Sequence, residues 1–359
     1  MIATIEILKS NFHTIIQGNP RLGFKAFGVP ESGPVDPFTS VLANLLLDNE
    51  PYAPLLEITQ GGLEFLVHND TYIALSGADL NAVILRKNRS LTIPIGLAIK
   101  LHDKDRVVFN GSNKGFRCWC AFCGGIKVPP ILSSTSALET SNFGGIFGRR
   151  LLKGDVFEVE NNTKPRNKML LPLLNFREEE NVCLRVVKGS QYDKFSQDDI
   201  ENSFKNSYRV LSDSNRIGIR LSCVDKESKV VKGFNILSDP SPLGAVQITV
   251  DGIPIILLQD RGTVGGYSKI ATVIKADFIK IAQLKPNQLV NFKLICIEDA
   301  INEYYNVLNL IKRSILEVDA DFIKKYMKLF RENDLTFFEF NTNNFNLLLR
   351  RDYFKTKGC

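Results

Sequence analysis

The chain has 359 residues, too many for one ordinary domain, so length alone favours two domains. Apolar residues make up 44% and charged residues 23% of the sequence, which is typical of a soluble globular protein. The formal net charge of +6 comes from 45 basic and 39 acidic residues scattered along the chain, and so small an excess argues against a nucleic-acid partner. Seven cysteines, an odd number, favour a reducing compartment over a disulfide framework.

The amino-terminal segment, MIATIEILKSNFHTII, alternates polar and apolar residues like a strand. It has no basic head followed by an uninterrupted apolar run, so it does not have the pattern of an export signal. The longest apolar stretches elsewhere are far shorter than a membrane-spanning helix requires. We therefore expect a cytoplasmic protein with no membrane partner.

Short strands separated by Gly, Asn and Asp turns dominate residues 1–170. One helix interrupts them, because Asp36 is a good N-cap and Pro37 suits the first helical position. Apolar residues follow at helical spacing, namely Phe38, Val41, Leu42, Leu45 and Leu46. We predict a first β domain over 1–170, with a helix over 36–48 packed on it.

A second strand-rich block covers residues 182–296 and includes a short helix over 197–204, with Ser196 as its cap. Regularly spaced short strands with few helices favour barrels or sandwiches over a doubly wound α/β sheet. Each block contains a Gly-Gly turn after a strand and ends in a Leu-Lys turn with a closing strand, as in LLKGDVFEV and LKPNQLVNFKL. A duplicated β unit explains this repetition, and chance similarity is the alternative.

Residues 297–359 differ from both blocks, because 297–317 and 319–331 have helical spacing and the segment is rich in aromatic residues. So much aromatic surface has to be buried against the body or against a partner. We predict a small helical carboxy-terminal extension.

Three cysteines lie close together at Cys118, Cys120 and Cys123. On a strand the first two would share a face and the third would point the other way. No fourth ligand and no histidine lie nearby in the sequence, so we expect buried small hydrophobic residues and no metal site.

The segment QDRGTVGGYSK (259–269) places an acid, two bases and three glycines in one connection between strands. It is not a Walker phosphate loop, because that motif needs Gly immediately before Lys-Ser/Thr. Glycines at 262, 265 and 266 would let backbone N–H groups converge on an anion, with Arg261 and Lys269 adding charge. A bent hairpin with surface charges is the alternative interpretation.

Three further segments combine with it: ESGPVD (31–36), SNRIGIRL (214–221) and PLGAVQ (242–247). Together with LEITQGGLEF (56–65), CGGIKVPPIL (123–132) and NFGGIFGRRLLKGD (142–155), they occur in the order of a known family. The chain resembles the allophanate hydrolase subunit 2 family, which also contains KipA and the C component of 5-oxoprolinase. It is similar in turn to the carboxyltransferase domain of urea carboxylase. The resemblance runs from about residue 27 to residue 292 and implies a mainly β fold of tandem cyclophilin-like β-barrels.

The resemblance implies that the chain is the C component of an ATP-dependent 5-oxoprolinase, which opens 5-oxo-L-proline to L-glutamate. The expected partners are a KipI-like B component and a LamB/YcsF-like A component. The alternatives are a biotin-dependent carboxyltransferase of the urea carboxylase type and a KipA-like regulator that binds a KipI-like kinase inhibitor. Under the carboxyltransferase alternative, biotin would arrive on another protein.

The expected site residues follow from the matched motifs. Asp260, Arg261 and Lys269 are the candidate catalytic residues, with Asp260 as base or orienter and the two cations on an anion. Arg216 is expected to bind the substrate carboxylate. The remaining candidate binding residues are Gln247, Thr263, Gly265, Gly266 and Tyr267.

The sequence departs from the family pattern at several positions beside this expected site. Asn215 stands where Asp is usual, Gly262 where Gln is usual, and Ser268 where Pro is usual. These exchanges bear on catalytic efficiency more than on the fold.

Overall fold

The computed structural model describes residues 2–112, 115–160, 164–171, 173, 179–224, 231–331, 337–342 and 345–350. Its strands up to residue 159 are β1 (Ala3–Lys9), β2 (His13–Gln17), β3 (Leu55–Thr59), β4 (Glu64–His68), β5 (Thr71–Gly77), β6 (Ala82–Arg86), β7 (Arg89–Thr92), β8 (Ala98–Leu101), β9 (Arg106–Phe109), β10 (Arg117–Phe122) and β11 (Val156–Val159). The later strands are β12 (Lys168–Leu170), β13 (Asn181–Lys188), β14 (Tyr208–Val210), β15 (Gly218–Cys223), β16 (Asn235–Pro240), β17 (Ala245–Ile248), β18 (Pro254–Leu257), β19 (Val264–Val273), β20 (Leu289–Leu294), β21 (Ile315–Glu317), β22 (Phe337–Thr342) and β23 (Phe345–Arg350). The helices are α1 (Thr39–Leu46), α2 (Gln197–Lys205), α3 (Phe278–Ile281), α4 (Ile297–Arg313) and α5 (Ala320–Arg331).

The strands of the first part form two separate antiparallel sheets. The resemblance implied a β-barrel here, whose hydrogen bonds would run through one continuous sheet. A six-stranded sheet has the order β11-β1-β4-β9-β6-β7, and a five-stranded sheet has the order β2-β3-β10-β5-β8. Apolar side chains from both sheets share one core, because every second residue of a strand points to the same side. In β10, for example, Cys118, Cys120 and Phe122 enter this core.

The strands of the second part close into a seven-stranded barrel with the order β13-β20-β14-β15-β18-β17-β19. Antiparallel pairing of β13 with β19 closes the barrel, and the pairing of β13 with β20 is parallel. Strand β16 pairs only with the first part of β19 and forms an arm outside the barrel. The predicted mainly β class is therefore confirmed. The predicted domain boundaries at 1–170 and 182–296 remain a prediction.

One apolar cluster joins the barrel to the first part. Barrel residues such as Leu184 and Ile256 pack in it together with Leu46 of α1 and Trp119 of β10. Trp119 alternates with the cysteines of the same strand, so β10 contributes one face to each core. The two groups of strands are thus packed against each other through α1 and the five-stranded sheet.

Helix α1 is shorter than the predicted 36–48, although its capping residue was identified correctly. The Asp36 carboxylate accepts hydrogen bonds from the amides of Phe38 and Thr39 at 2.7 and 3.2 Å. Asp48 has a positive φ, which ends the helical run. The predicted cap of α2 is also confirmed, because Ser196 accepts a bond from the amide of Asp199.

The carboxy-terminal extension contains two helices, as predicted, and both pack on the body. Val307 of α4 lies in a small apolar cluster with Phe38, and Phe322 of α5 enters the core of the first part. The extension also contains strands: β21 pairs with β12, and β22 pairs with β23. Residues 351–359 lie outside the described part of the chain.

Within the described residues, no helix is both long enough and apolar enough to cross a membrane. Cys118, Cys120 and Cys123 are buried, and no set of three or more potential metal ligands gathers anywhere in the described ranges.

Candidate functional site

The segment QDRGTVGGYSK is not the open, glycine-rich loop that the sequence suggested. Its second half lies in β19, which begins at Val264. Gly262, Gly265 and Gly266 all have backbone angles outside the left-handed region. The predicted convergence of backbone N–H groups on an anion is therefore wrong, because extended strand residues point their amides alternately to opposite sides.

Arg216 and Asp260 form a buried ion pair and are not exposed to a ligand. Arg216 Nε donates to Asp260 Oδ2 at 2.8 Å, and Nη2 donates to Oδ1 at 3.2 Å. Nη2 also donates to the carbonyl oxygen of Gly33 at 2.7 Å. Both side chains are about 95% buried. Each group is bonded to a partner inside the protein, so the geometry does not favour the expected roles of Arg216 on a substrate carboxylate and of Asp260 as a base, and these roles stay predictions.

Two residues of the first part complete this pair. Arg216 Nη1 donates to Glu57 Oε1 at 2.6 Å, and Arg117 Nε lies 3.8 Å from the same oxygen. Burial raises the pKa of Glu57, but the Arg216 and Arg117 guanidinium groups outweigh burial and lower it overall. Burial lowers the pKa of Arg216, but Asp260 and Glu57 outweigh it and raise it overall. We call Glu57, Arg117, Arg216 and Asp260 the ionic cluster.

The segment ESGPVD (31–36) lies across the ionic cluster. Its backbone supplies the Gly33 carbonyl to Arg216 and the Val35 amide to Glu57, the latter at 2.8 Å. The amide of Ser32 donates to the carbonyl of Gln259 at 3.2 Å. The motif segments 31–36, 56–65, 214–221 and 259–269 therefore meet at one buried place.

Arg261 and Lys269 are buried as well. Arg261 donates to the carbonyl of Ser241 at 2.7 Å and to Glu31 at 3.3 Å. Burial lowers the pKa of Arg261, and Glu31 partly offsets this. Lys269 Nζ lies 3.5 Å from Asp239 Oδ2, and its side chain is 1% exposed. Since both cations are bonded inside the protein, the geometry does not favour their assignment to a bound anion, which stays a prediction.

A cleft of about 330 Å³ lies on the outer side of the barrel, between β15, β17, β18 and the beginning of β19. Its lining residues are Asn215, Ile217, Gly218, Arg220, Ser241, Gln247, Ile255, Leu257, Gly262, Val264, Gly265 and Tyr267. Three predicted binding residues, Gln247, Gly265 and Tyr267, are among them. This volume is at the lower end of the range for small-molecule sites and suits a ligand of few atoms.

Gln247 is the polar centre of the cleft. A register shift in the pairing of β17 with β19 falls between Val246 and Gln247, and such bulges re-aim side chains. Gln247 is 6% exposed, and its Nε2 has no hydrogen-bond partner in the described part of the chain. A Cβ on Gly265 would lie 2.7 Å from that Nε2. A side chain at 265 would therefore displace the Gln247 amide from its position in the cleft.

The other predicted residues of this segment lie nearby with smaller roles. Tyr267 is 40% exposed and forms part of the cleft wall. The carbonyl of Thr263 accepts a bond from the amide of Ser241 at 3.0 Å, which holds the start of β19 beside the cleft. A Cβ on Gly266 would lie 3.6 Å from its nearest neighbour, the carbonyl oxygen of Ile236, which is an ordinary van der Waals distance.

The sequence analysis did not single out Glu57, Arg117 and Arg220. Glu57 stands alone in the buried run LLEIT, and Arg220 stands between the core residues Ile219 and Leu221. A charged residue inside an apolar strand is the signal that would have identified both. Among the residues that line the cleft, the titratable ones are Arg220 and Tyr267. The cleft can bind and orient a small polar molecule, but its lining offers no carboxylate or imidazole for proton transfer.

A family model described as carboxyltransferase domain, subdomain A and B, matches residues 27–294 of the chain. The C component of the 5-oxoprolinase of Escherichia coli (strain K12) is 31% identical over 304 residues, which cover 83% of this chain and 93% of that protein.

Solved structures agree with this match. The K. lactis urea amidolyase superposes with a TM-score of 0.77 at 27% identity, covering 89% of this chain and 20% of that chain. The structure of TTHA0988 superposes with a TM-score of 0.70 at 29% identity, covering 81% of this chain and 55% of that chain. This chain thus spans a fifth of the first protein and about half of the second. The match over residues 27–294 and the similarity to nearly all of the E. coli protein show that the chain belongs to the carboxyltransferase domain family, subdomains A and B.

Proposed function

We propose that this chain is the C component of an ATP-dependent 5-oxoprolinase, which converts 5-oxo-L-proline to L-glutamate. The observation that carries the proposal is the extent of the match. The chain corresponds to 93% of the C component of the E. coli 5-oxoprolinase but to only 20% of the K. lactis urea amidolyase. The similarity to the separate component thus extends over nearly all of that protein, whereas it covers one region of the larger enzyme.

The cleft supports a role in binding the lactam. A lactam carbonyl accepts hydrogen bonds, and Gln247 offers an amide whose Nε2 has no partner in the described chain. Ile255, Leu257 and Val264 supply an apolar wall for the ring carbons. A buried donor without a partner costs free energy, and a ligand that accepts its bond removes that cost.

Among the described residues, the two cations expected to bind an anion do not favour a site for ATP. Arg261 and Lys269 are bonded to carboxylates and a carbonyl group inside the protein. In the proposed reaction ATP phosphorylates the lactam oxygen, water attacks the carbon, the ring C–N bond opens, and ADP and phosphate leave. We derive no phosphoryl step from this chain, and we propose that ATP and the general base are supplied by a partner.

The proposed partners are a KipI-like B component and a LamB/YcsF-like A component, and the proposed location of the complex is the cytoplasm. The chain itself contributes the lactam-binding cleft. Its lining has no acid or base other than Arg220 and Tyr267, so we expect the isolated chain to be inactive.

A second candidate is biotin-dependent carboxyl transfer of the urea carboxylase type. The observation that favours it is the TM-score of 0.77 with the K. lactis urea amidolyase over 89% of this chain. Under this candidate the carboxyl group would come from a biotin carried by another protein. Gln247 would then hold the acceptor amide, since urea also presents a carbonyl oxygen.

The test uses the tagged full-length chain produced together with the two candidate partners. We expect ATP-dependent release of L-glutamate from 5-oxo-L-proline by the complete complex, and none when any one of the three proteins is omitted. Carboxylation of urea by the chain with a carboxybiotin protein, and no glutamate release by an assembled complex, would replace the first proposal with the second. Glutamate release by the chain alone would contradict the assignment of ATP to a partner.

A further inference from the structure

The cleft contains a cation that the expected site did not include. Arg220 lies on β15 and pairs with Ile255 of β18, which in turn pairs with Gln247 of β17. Directly paired residues of antiparallel strands point to the same side of the sheet, so the three side chains form one row across the cleft floor. Ile219 and Leu221, the neighbours of Arg220, point into the barrel core instead.

The spacing of this row suits one small ligand held at both ends. Adjacent strands lie about 4.8 Å apart, so the Cα atoms of Arg220 and Gln247 are separated by roughly 10 Å, with Ile255 between them. An arginine and a glutamine reaching in from the two sides leave room for a ligand of a few atoms over the isoleucine. The cleft volume of about 330 Å³ agrees with a ligand of this size.

Arg220 has the accessibility that Arg216 lacks. Its side chain is 36% exposed, whereas that of Arg216 is 5% exposed. Within the described residues, Arg220 forms an ion pair with Asp213. Asp213 Oδ2 lies 2.8 Å from Arg220 Nε, but the two groups do not have the geometry of a hydrogen bond. Asp213 is itself 60% exposed, so this pair is held in water and is weak. A guanidinium can bind a second carboxylate through its terminal nitrogens while Nε stays beside the first.

We propose that Arg220 binds the carboxylate of the substrate while Gln247 binds its amide carbonyl, so that the cleft selects small cyclic amides that carry a carboxylate. This inference rests on the proposed function and replaces Arg216 with Arg220 as the carboxylate-binding residue. It assigns Arg220 to specificity and not to chemistry. A ligand with an amide but no carboxylate should use only the Gln247 half of the row.

The test compares Arg220→Met and Arg220→Lys with Arg209→Met in the complete complex. Arg209 is a matched control, because it lies on the neighbouring strand β14, is exposed, and is absent from the cleft lining. The two ligands are 5-oxo-L-proline as substrate and 2-pyrrolidinone, the same lactam without the carboxylate, as a competing ligand.

We expect Arg220→Met to raise the KM for 5-oxo-L-proline roughly 10- to 150-fold, the loss typical of hydrogen bonds to a charged group, with a much smaller change in kcat. The inhibition constant of 2-pyrrolidinone should stay the same. Arg220→Lys keeps the charge but loses the planar fork, so its KM should rise less. Arg209→Met should match the wild type.

The outcomes separate the two proposals. A wild-type complex that assembles but neither binds nor converts 5-oxo-L-proline overturns the proposed function. A wild-type complex that is active, with an unchanged KM in Arg220→Met, overturns the role of Arg220 alone. Equal losses of affinity for both ligands would also overturn it, because they indicate a collapsed cleft. If Arg220→Met does not fold, the KM of Arg220→Lys decides, and an unchanged value counts against the role.

Discussion

Replacing Glu57 with Gln should strongly destabilise the fold. Glu57 is fully buried, and its carboxylate faces the guanidinium groups of Arg216 and Arg117. With all four residues ionised, the ionic cluster has two positive and two negative charges. Glu57→Gln keeps the side-chain size but leaves two buried cations with Asp260 as the sole carboxylate of the cluster.

The expected loss is about 3–5 kcal/mol in the free energy of unfolding, the usual cost of removing one partner from a buried ion pair. Coulomb's law gives a similar figure, about 4 kcal/mol for two unit charges 4 Å apart at an effective dielectric constant of 20. Burial lowers the pKa of Arg117 to about 10 even with Glu57 present. Without Glu57, Arg117 would still be buried and still be repelled by Arg216, but the negative charge that offsets both effects would be gone.

The assay is urea-induced unfolding followed by tryptophan fluorescence. Trp119 is the single tryptophan of the chain, is fully buried, and pairs directly with Glu57 across β3 and β10. Its emission therefore reports the packing at the perturbed position. The double variant Glu57→Gln/Arg117→Met restores the charge balance, so it should lose less stability than the sum of the two single variants.

Glu201→Gln is the matched control. It makes the same chemical change in an exposed ion pair, 3.1 Å from Lys205 on α2, and should leave the unfolding midpoint in place. A loss below about 1 kcal/mol for Glu57→Gln, as for an ordinary surface substitution, would refute the reasoning. Strict additivity of the two single variants would show that Glu57 and Arg117 do not interact.

Two further predictions concern single side chains. Burial raises the pKa of Asp36 from 3.8 to about 6, so the folded protein holds this proton more tightly than the unfolded chain and loses stability as pH rises from about 4 to 6. Denaturant titrations of wild type and Asp36→Asn should show that the stability difference (wild type minus variant) falls by about 2 kcal/mol from pH 4 to 7, and a pH-independent difference would contradict the shifted pKa. Gly265→Ala should raise the KM for 5-oxo-L-proline at least about tenfold, because its Cβ displaces Gln247. Gly266→Ala places its Cβ 3.6 Å from the nearest atom, so this variant should resemble the wild type in the same assay. Equal KM values for Gly265→Ala and Gly266→Ala would argue against the contact with Gln247.

Local patterns in the sequence were sufficient to predict much of the fold. Strand alternation and turn residues depend on neighbours a few positions away, so the mainly β class followed from them. The caps at Asp36 and Ser196 are equally local, and both are present. The closure of the barrel, by contrast, depends on β13 meeting both β19 and β20, whose paired residues lie about 85 and 108 positions later, and no local pattern specifies such pairings.

The candidate site was predicted less well, because the surroundings of a charged residue are set by distant parts of the chain. QDRGTVGGYSK looks like an exposed polar connection, yet Asp260 is buried against Arg216, and the carboxylate that completes the pair, Glu57, lies 159 residues before Arg216. The sequence shows the charges but not their buried partners, so it does not reveal that these groups are bonded inside the protein. Gln247 lies in the cleft lining, as an amide in an apolar strand suggested, and its role in binding stays a prediction.

The ionic cluster and the cleft nevertheless depend on each other. Arg216 stands between Asn215 and Ile217, two residues of the cleft lining, and Asp260 comes two residues before Gly262, a third. The bonds from Arg216 to Glu57 and Gly33 therefore fix one segment of the cleft wall to the first part of the chain, and the bond from Arg216 to Asp260 ties the second segment to it. Buried ion pairs contribute little net stability compared with apolar packing, but they require one relative position of their partners. We therefore propose that the buried motif residues Arg216 and Asp260 hold the cleft in shape. The ligand would then contact Gln247 together with Arg220 and Tyr267, residues of the two motifs that line the cleft.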